Sequence, residues 1–230
     1  MPYTERDSDL IHYQGASMDD EQRKNRRGAG VANCLHVISV MDYLCETMAF
    51  EDISVLDICK ASGLSRSTFY RFFEDKFDAV NWIMHAISRL GHNNTGRTMN
   101  WYDASVVSLS GFKLIRHLLN RASEPGGYIS LRETSIRLRI GNLTETLETF
   151  KHVEPDDELR YEIEFFAYAE IAAVHRWYEK ADQLPVETFA GYIEQVVPQR
   201  LHDLLAMPNN PAKGQRLTMG RIAVLLQEEA

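Results

Sequence analysis

Apolar residues recur every three or four positions along most of this chain and nowhere alternate at period two over a strand's length, so the pattern predicts an all-α protein. The first run is Val31, Cys34, Leu35, Ile38, Met41, Cys45 and Met48, one face of a first helix. Phe50 to Ile53 interrupts it, and Ser54 stands where a hydroxyl can cap a second, short helix. Gly63 then supplies the residue tolerant of positive φ that a tight helix–helix turn needs. Ser65 can cap the next helix, with Leu64 and Phe69 at the spacing of a hydrophobic staple. On that helix Phe69, Phe72 and Phe73 fall on one side and Ser67, Tyr70 and Arg71 on the other, flanked by Arg66 and Thr68. Asp75 opens a long fourth helix, with Asp78 reaching back as in a capping box, and the polar cluster Asn93 to Gly96 bounds it.

Further helices are expected at about 105–119, 128–140 and 144–152, separated by breaks at Pro125-Gly126-Gly127 and at Gly141-Asn142. The stretch 156–181 carries two apolar stripes. One is Leu159, Ile163, Phe166, Val174 and Trp177; the other is Tyr161, Phe165, Tyr168, Ala172 and His175. A helix apolar on two sides needs cover from two sides, and a second copy of the chain is the economical second cover. Phe189, Ile193, Val197, Leu201 and Leu204 extend the pattern into a last long helix that Pro198 should kink or interrupt. Beyond Met207-Pro208-Asn209-Asn210-Pro211, Leu217, Ile222, Leu225 and Leu226 predict one more short helix with no legible role. The organisation expected is a mobile arm at 1–28, a helix-turn-helix unit at 29–80, a helical effector and dimerisation domain at 81–206, and a tail at 207–230.

Composition narrows the function. At 230 residues, 44% hydrophobic and 25% charged, the chain is ordinary for a globular protein. No run approaches a membrane span and no apolar signal core opens the chain, so the place expected is the cytoplasm, with no membrane partner. Cys34, Cys45 and Cys59 lack metal or disulfide spacing and read as buried thiols. A net charge of −8 argues against bulk coating of nucleic acid, yet only a docking face must be positive. The face of Arg66, Ser67, Thr68, Tyr70 and Arg71 is what a major-groove recognition helix requires. Arg23, Lys24, Arg26 and Arg27, just before the first helix, suit an arm that neutralises phosphates. Ser54, at a helix N-terminus, could also meet one.

The run Ile58-Cys59-Lys60-Ala61-Ser62-Gly63-Leu64-Ser65, then Thr68-Phe69-Tyr70-Arg71-Phe72-Phe73, then Asp75-Lys76, resembles the helix-turn-helix of the TetR/AcrR transcriptional regulators. Cys59 replaces the usual alanine. Phe77 replaces a frequent acid, and Phe77-Asp78-Ala79-Val80-Asn81-Trp82-Ile83 resembles the subgroup that includes the activator of dihydroxyacetone kinase operons. The resemblance implies a homodimer on a near-palindromic operator in double-stranded DNA, pairing through its last two long helices. It also implies a phosphate contact for Lys76, and Ser65 joins the DNA-facing set. Repression is the outcome expected first. Activation under a protein co-regulator is the alternative within the family, and an all-helical ligand-binding protein with a merely structural hairpin is the alternative outside it.

Catalytic chemistry finds no support. There is no H-E-x-x-H, G-x-S-x-G, P-loop or G-x-G-x-x-G, and Glu170 and His175, five apart, lack a third ligand, so neither enzyme activity nor a metal or cofactor is expected. For a small-molecule effector, Phe112, His117, Tyr128, Phe166, Tyr168 and Trp177 offer aromatic walls with a few polar points.

Overall fold

The computed structural model describes residues 29–123, 130–179, 184–208, 210 and 214–228, whose regular elements are all helices. The basic arm and Tyr128 lie outside the described residues. The α-helices are α1 (Ala29–Leu44), α2 (Val55–Ser62), α3 (Arg66–Phe72), α4 (Lys76–Leu90), α5 (Trp101–Lys113), α6 (Arg116–Ala122), α7 (Ser130–Glu145), α8 (Asp157–Glu179), α9 (Val186–Gln195), α10 (Gln199–Leu204) and α11 (Met219–Glu228). None of them is long and apolar enough to cross a membrane.

The head forms as its spacing dictates. α1 buries Val31, Cys34, Leu35, Ile38 and Met41, and Cys45 continues that face. Ser54 caps α2 in a full capping box with Asp57, and Gly63 ends it in the left-handed region at φ 70°. The Ser65 hydroxyl then accepts from the Thr68 N–H at 3.0 Å to start α3. Phe69, Phe72 and Phe73 are at most 1% exposed, each contributing about 1.5–3 kcal/mol of apolar burial. At seven residues α3 is too short to stand alone, so these rings hold it. Asp75 caps α4 as expected, but Asp78 reaches back to the Glu74 N–H, one residue earlier than a capping box requires.

Two expectations for the rest of the chain are corrected. The segment 105–119 is two helices, because Ile115 leaves helical geometry and the α1 carboxylate of Asp42 accepts from the Leu118 N–H at 2.9 Å, capping α6 from 76 residues away. Gly141-Asn142 does not break α7. Gly141 faces open space, where a missing side chain costs about 1 kcal/mol, and the Asn142 side-chain Nδ2 donates to the side-chain Oδ1 of Asn93. The helix instead widens into a π-turn over Thr146–Phe150. Of the two outcomes open at Pro198, interruption is the one found: it divides the last long helix into α9 and α10. α9 packs on α5, α7 on α8, and α6 and α11 on α1.

Candidate nucleic-acid interface and effector cavity

On α3 the buried rings turn the polar side outward. Arg66, Ser67, Tyr70 and Arg71 are exposed and Thr68 is half-buried. The Arg66 guanidinium lies over the Tyr70 ring at 5.8 Å, and Arg71 lies over Phe72 at 4.9 Å. Hydroxyls, a phenol and two guanidiniums thus share a surface beside a helix only two turns long. Ser65 and Thr68 are joined, hydroxyl to hydroxyl, at 2.9 Å.

Among the described residues, the two expected at phosphates, Lys76 and Ser54, are engaged within the protein. The Lys76 ammonium donates to the carbonyls of Phe50, Glu51 and Ile53 at 2.6, 3.0 and 2.8 Å, which uses all three of its protons. Burial pulls its pKa below the ordinary lysine value, against the opposing field of Glu51. Its cation also lies 4.7 Å from the Phe50 ring and 5.5 Å from Phe77, which meet edge to face. The aromatic at 77 therefore walls in the lysine, and Lys76 holds the turn that presents Ser54. That serine's hydroxyl donates to Asp57 at 2.5 Å and accepts from the Asp57 N–H. The hydrogen bond from Ser54 holds the Asp57 carboxyl below its usual range, so a negative charge sits at the α2 N-terminus. An approaching phosphate meets that charge first.

The residues named for an effector do not converge. Phe112 lines a cavity of about 40 Å³ between α4, α5, α7 and α8. His117 lies on α6 near Glu46, Phe166 packs edge-on to Trp101, and Trp177 stacks on Phe189 with its N–H on the Leu184 carbonyl. Tyr168 is 57% exposed and faces away from any interior. Instead, Phe112 shares the cavity with Leu131, Leu138, Ile171, Val174, His92, Arg139 and Tyr178.

Beside that cavity Arg139 grips Glu170 side-on, Nε at 2.6 Å and Nη2 at 3.3 Å, both side chains buried. Such a pair is retained at a desolvation cost that only good geometry offsets. His92 completes the group: its N–H donates to the Ser108 hydroxyl, its carbonyl accepts from Arg139, and its Nε2 lies 3.8 Å from Glu170 without a hydrogen-bond partner. Burial first, and the Arg139 charge second, hold His92 well below the usual histidine range, so it is neutral. Sequence reasoning missed this cluster, although a signal existed. Glu170 stands four residues after Phe166 and four before Val174, in the buried register of α8, where a carboxylate needs a partner.

On α8 the first stripe is buried as expected, while Tyr161, Phe165 and Tyr168 are 61%, 72% and 57% exposed. Tyr161 and Phe165 stack at 6.1 Å. Tyr192 and Val196, on and just after α9, are also exposed.

Neither a protein-family model nor a curated protein sequence matches the chain. Among solved structures it is similar in fold to the dihydroxyacetone kinase operon activator DhaS, with a TM-score of 0.56 and 15% identity, over 75% of this chain and 98% of that one. A likeness at that identity is one of fold.

Proposed function

We propose that the chain is a DNA-binding transcriptional regulator of the TetR/AcrR type. It would act as a homodimer on a near-palindromic operator and be controlled through its C-terminal domain, with repression the first expectation. The observation that carries this is α3, whose outward face is Arg66, Ser67, Thr68, Tyr70 and Arg71 and whose inward face is three sealed phenylalanines. Base edges in the major groove are read by such donors and acceptors, guanidinium to guanine above all. The exposed aromatics of α8 support pairing of two copies, which would set two α3 helices about 34–36 Å apart, one turn of duplex. The cavity beside Arg139 and Glu170 is the proposed effector site. Its walls suit an apolar molecule, and the unpartnered His92 Nε2 suits one hydrogen-bonding group on it.

Operator selection from random DNA, followed by gel shift at several salt concentrations, tests the reading. A two-fold symmetric site and a steep salt dependence are expected; absence of any sequence-preferring complex at micromolar protein would overturn it. A second reading is favoured by two observations. The cavity holds only about three water-sized bodies, and DhaS is by name an activator. For this chain the corresponding reading is an activator of the same family controlled by a protein partner in place of a small molecule. A purified partner that changes promoter occupancy, with no small molecule doing so, selects that reading.

A further inference from the structure

The segment 214–228 had no role in the sequence, and its contacts supply one. Its first half is tied to the core. The Leu217 N–H donates to the buried Ser110 hydroxyl at 2.7 Å, and Arg216 pairs with Glu187 of α9. Just before it, the Asn210 N–H donates to the buried carboxylate of Asp103 at 2.9 Å. Two glycines permit this closeness: a Cβ on Gly214 would stand 2.2 Å from the Asp103 Oδ1, and one on Gly111 would stand 2.9 Å from the Leu217 Cδ1. The second half, α11, belongs to the head. Thr218 caps it, Ile222 and Leu226 are buried at 0% and 5% exposure, and the helix packs across α1 and α4. One short segment is therefore fastened to α5 and α9 at one end and to α1 and α4 at the other.

We propose that residues 214–228 are a latch that clamps the helix-turn-helix head to the core, so that the head moves relative to α5 only when the latch lets go. Leu217 sits against Gly111, whose own close neighbour is Ile87 of α4. Met84 and Ser88 of α4 and Phe112 of α5 line the cavity next to that contact. Whatever separates α4 from α5 at the cavity therefore strains the seat of Leu217. Close-packed contacts of this kind hold or break as a unit rather than stretch. The effect on DNA rests on the function proposed above; the clamp itself does not.

Hydrogen exchange on the full chain, followed in α11, α1 and α8, tests the latch through Gly214→Val, which drives a side chain into Asp103, and separately Ile222→Asp. Both changes lie on the latch, so the residues of head and core stay in place. In each variant α11 should exchange at least about tenfold faster, α1 should lose protection with it, and α8 should keep the parent's protection. Release of α11 with α1 as protected as in the parent would make the segment a passenger and overturn the proposal. So would an α11 that exchanges like a free peptide in the parent, or one that stays docked in both variants. No DNA enters this measurement, so its failure leaves α3 untouched. With an operator in hand, unlatching should weaken discrimination between sites of different half-site spacing; loss of all DNA binding in the parent would instead indict the proposed function.

Discussion

α3 and α8 are both seated on aromatic rings, and they differ in what the opposite side holds out. The short α3 offers guanidiniums, hydroxyls and a phenol; the 23-residue α8 offers Tyr161, Phe165 and Tyr168. A duplex, dense in acceptors and negative charge, rewards the first surface and does little for the second. A second apolar surface rewards the second and would leave the charges of the first without water or partner. Exposure alone therefore does not mark an interface. The chemistry of what is exposed names the kind of partner, and the buried rings leave that side free to specialise.

The sharpest way to break this contrast is to remove an anchor. Phe69→Ala empties a fully buried ring site and should cost about 3–5 kcal/mol, with α3 losing hydrogen-exchange protection while α8 keeps it. Equal losses in both would show that the two helices are not held independently. Next, Tyr161→Asp together with Phe165→Asp should weaken self-association by at least about 2 kcal/mol, roughly 30-fold. Sedimentation would read this, and chemical denaturation of the monomer should change little, since both side chains are exposed. A parent that sediments as a monomer removes that half of the contrast.

Within the head, Arg66→Ala should leave stability unchanged and cost about 1–3 kcal/mol of base discrimination. Lys76→Ala should do the reverse. Three carbonyls lose their donor, head stability falls by about 1–3 kcal/mol, and the salt slope of DNA binding stays as in the parent. A flattened slope would restore the phosphate contact that the family resemblance implies for Lys76.

The smallest effect is in pH. His92 faces Glu170 and Arg139 and stays neutral when folded, whereas an unfolded chain takes up a proton near pH 6.5. The unfolded state then binds more protons, so stability should fall as pH drops below about 6.5, by at most about 1.4 kcal/mol per unit. His92→Asn should flatten that slope; an unchanged slope would place its origin elsewhere.

Much of the head was legible because its determinants are neighbours. Gly63, Ser65 and Asp75 each act within about one helical turn of their partners, and spacing alone puts the three phenylalanines on one side. α8 was legible for the same reason, its two stripes being a matter of period alone. The pocket was not. Phe166 and Trp177 lie on the buried stripe of α8, and periodicity says that they are covered without saying by what; Trp101 and Phe189 turned out to cover them. The break at 114–115 was missed because a side chain far along the chain, Asp42, caps the helix that follows it, and the break expected at 141–142 failed because a glycine and an asparagine only weaken a helix.

From the order of its residues alone, the all-helical class, the helices and turn of the head and the polar side of α3 are determined, because caps, period and left-handed glycines act over a few residues. Folding in three dimensions decided the rest: that Lys76 serves carbonyls 23 to 26 residues behind it, that Arg139 meets Glu170, and that Leu217 returns to Ser110 across 107 residues. Those partners are chosen by which surfaces pack together, and no local spacing carries that information.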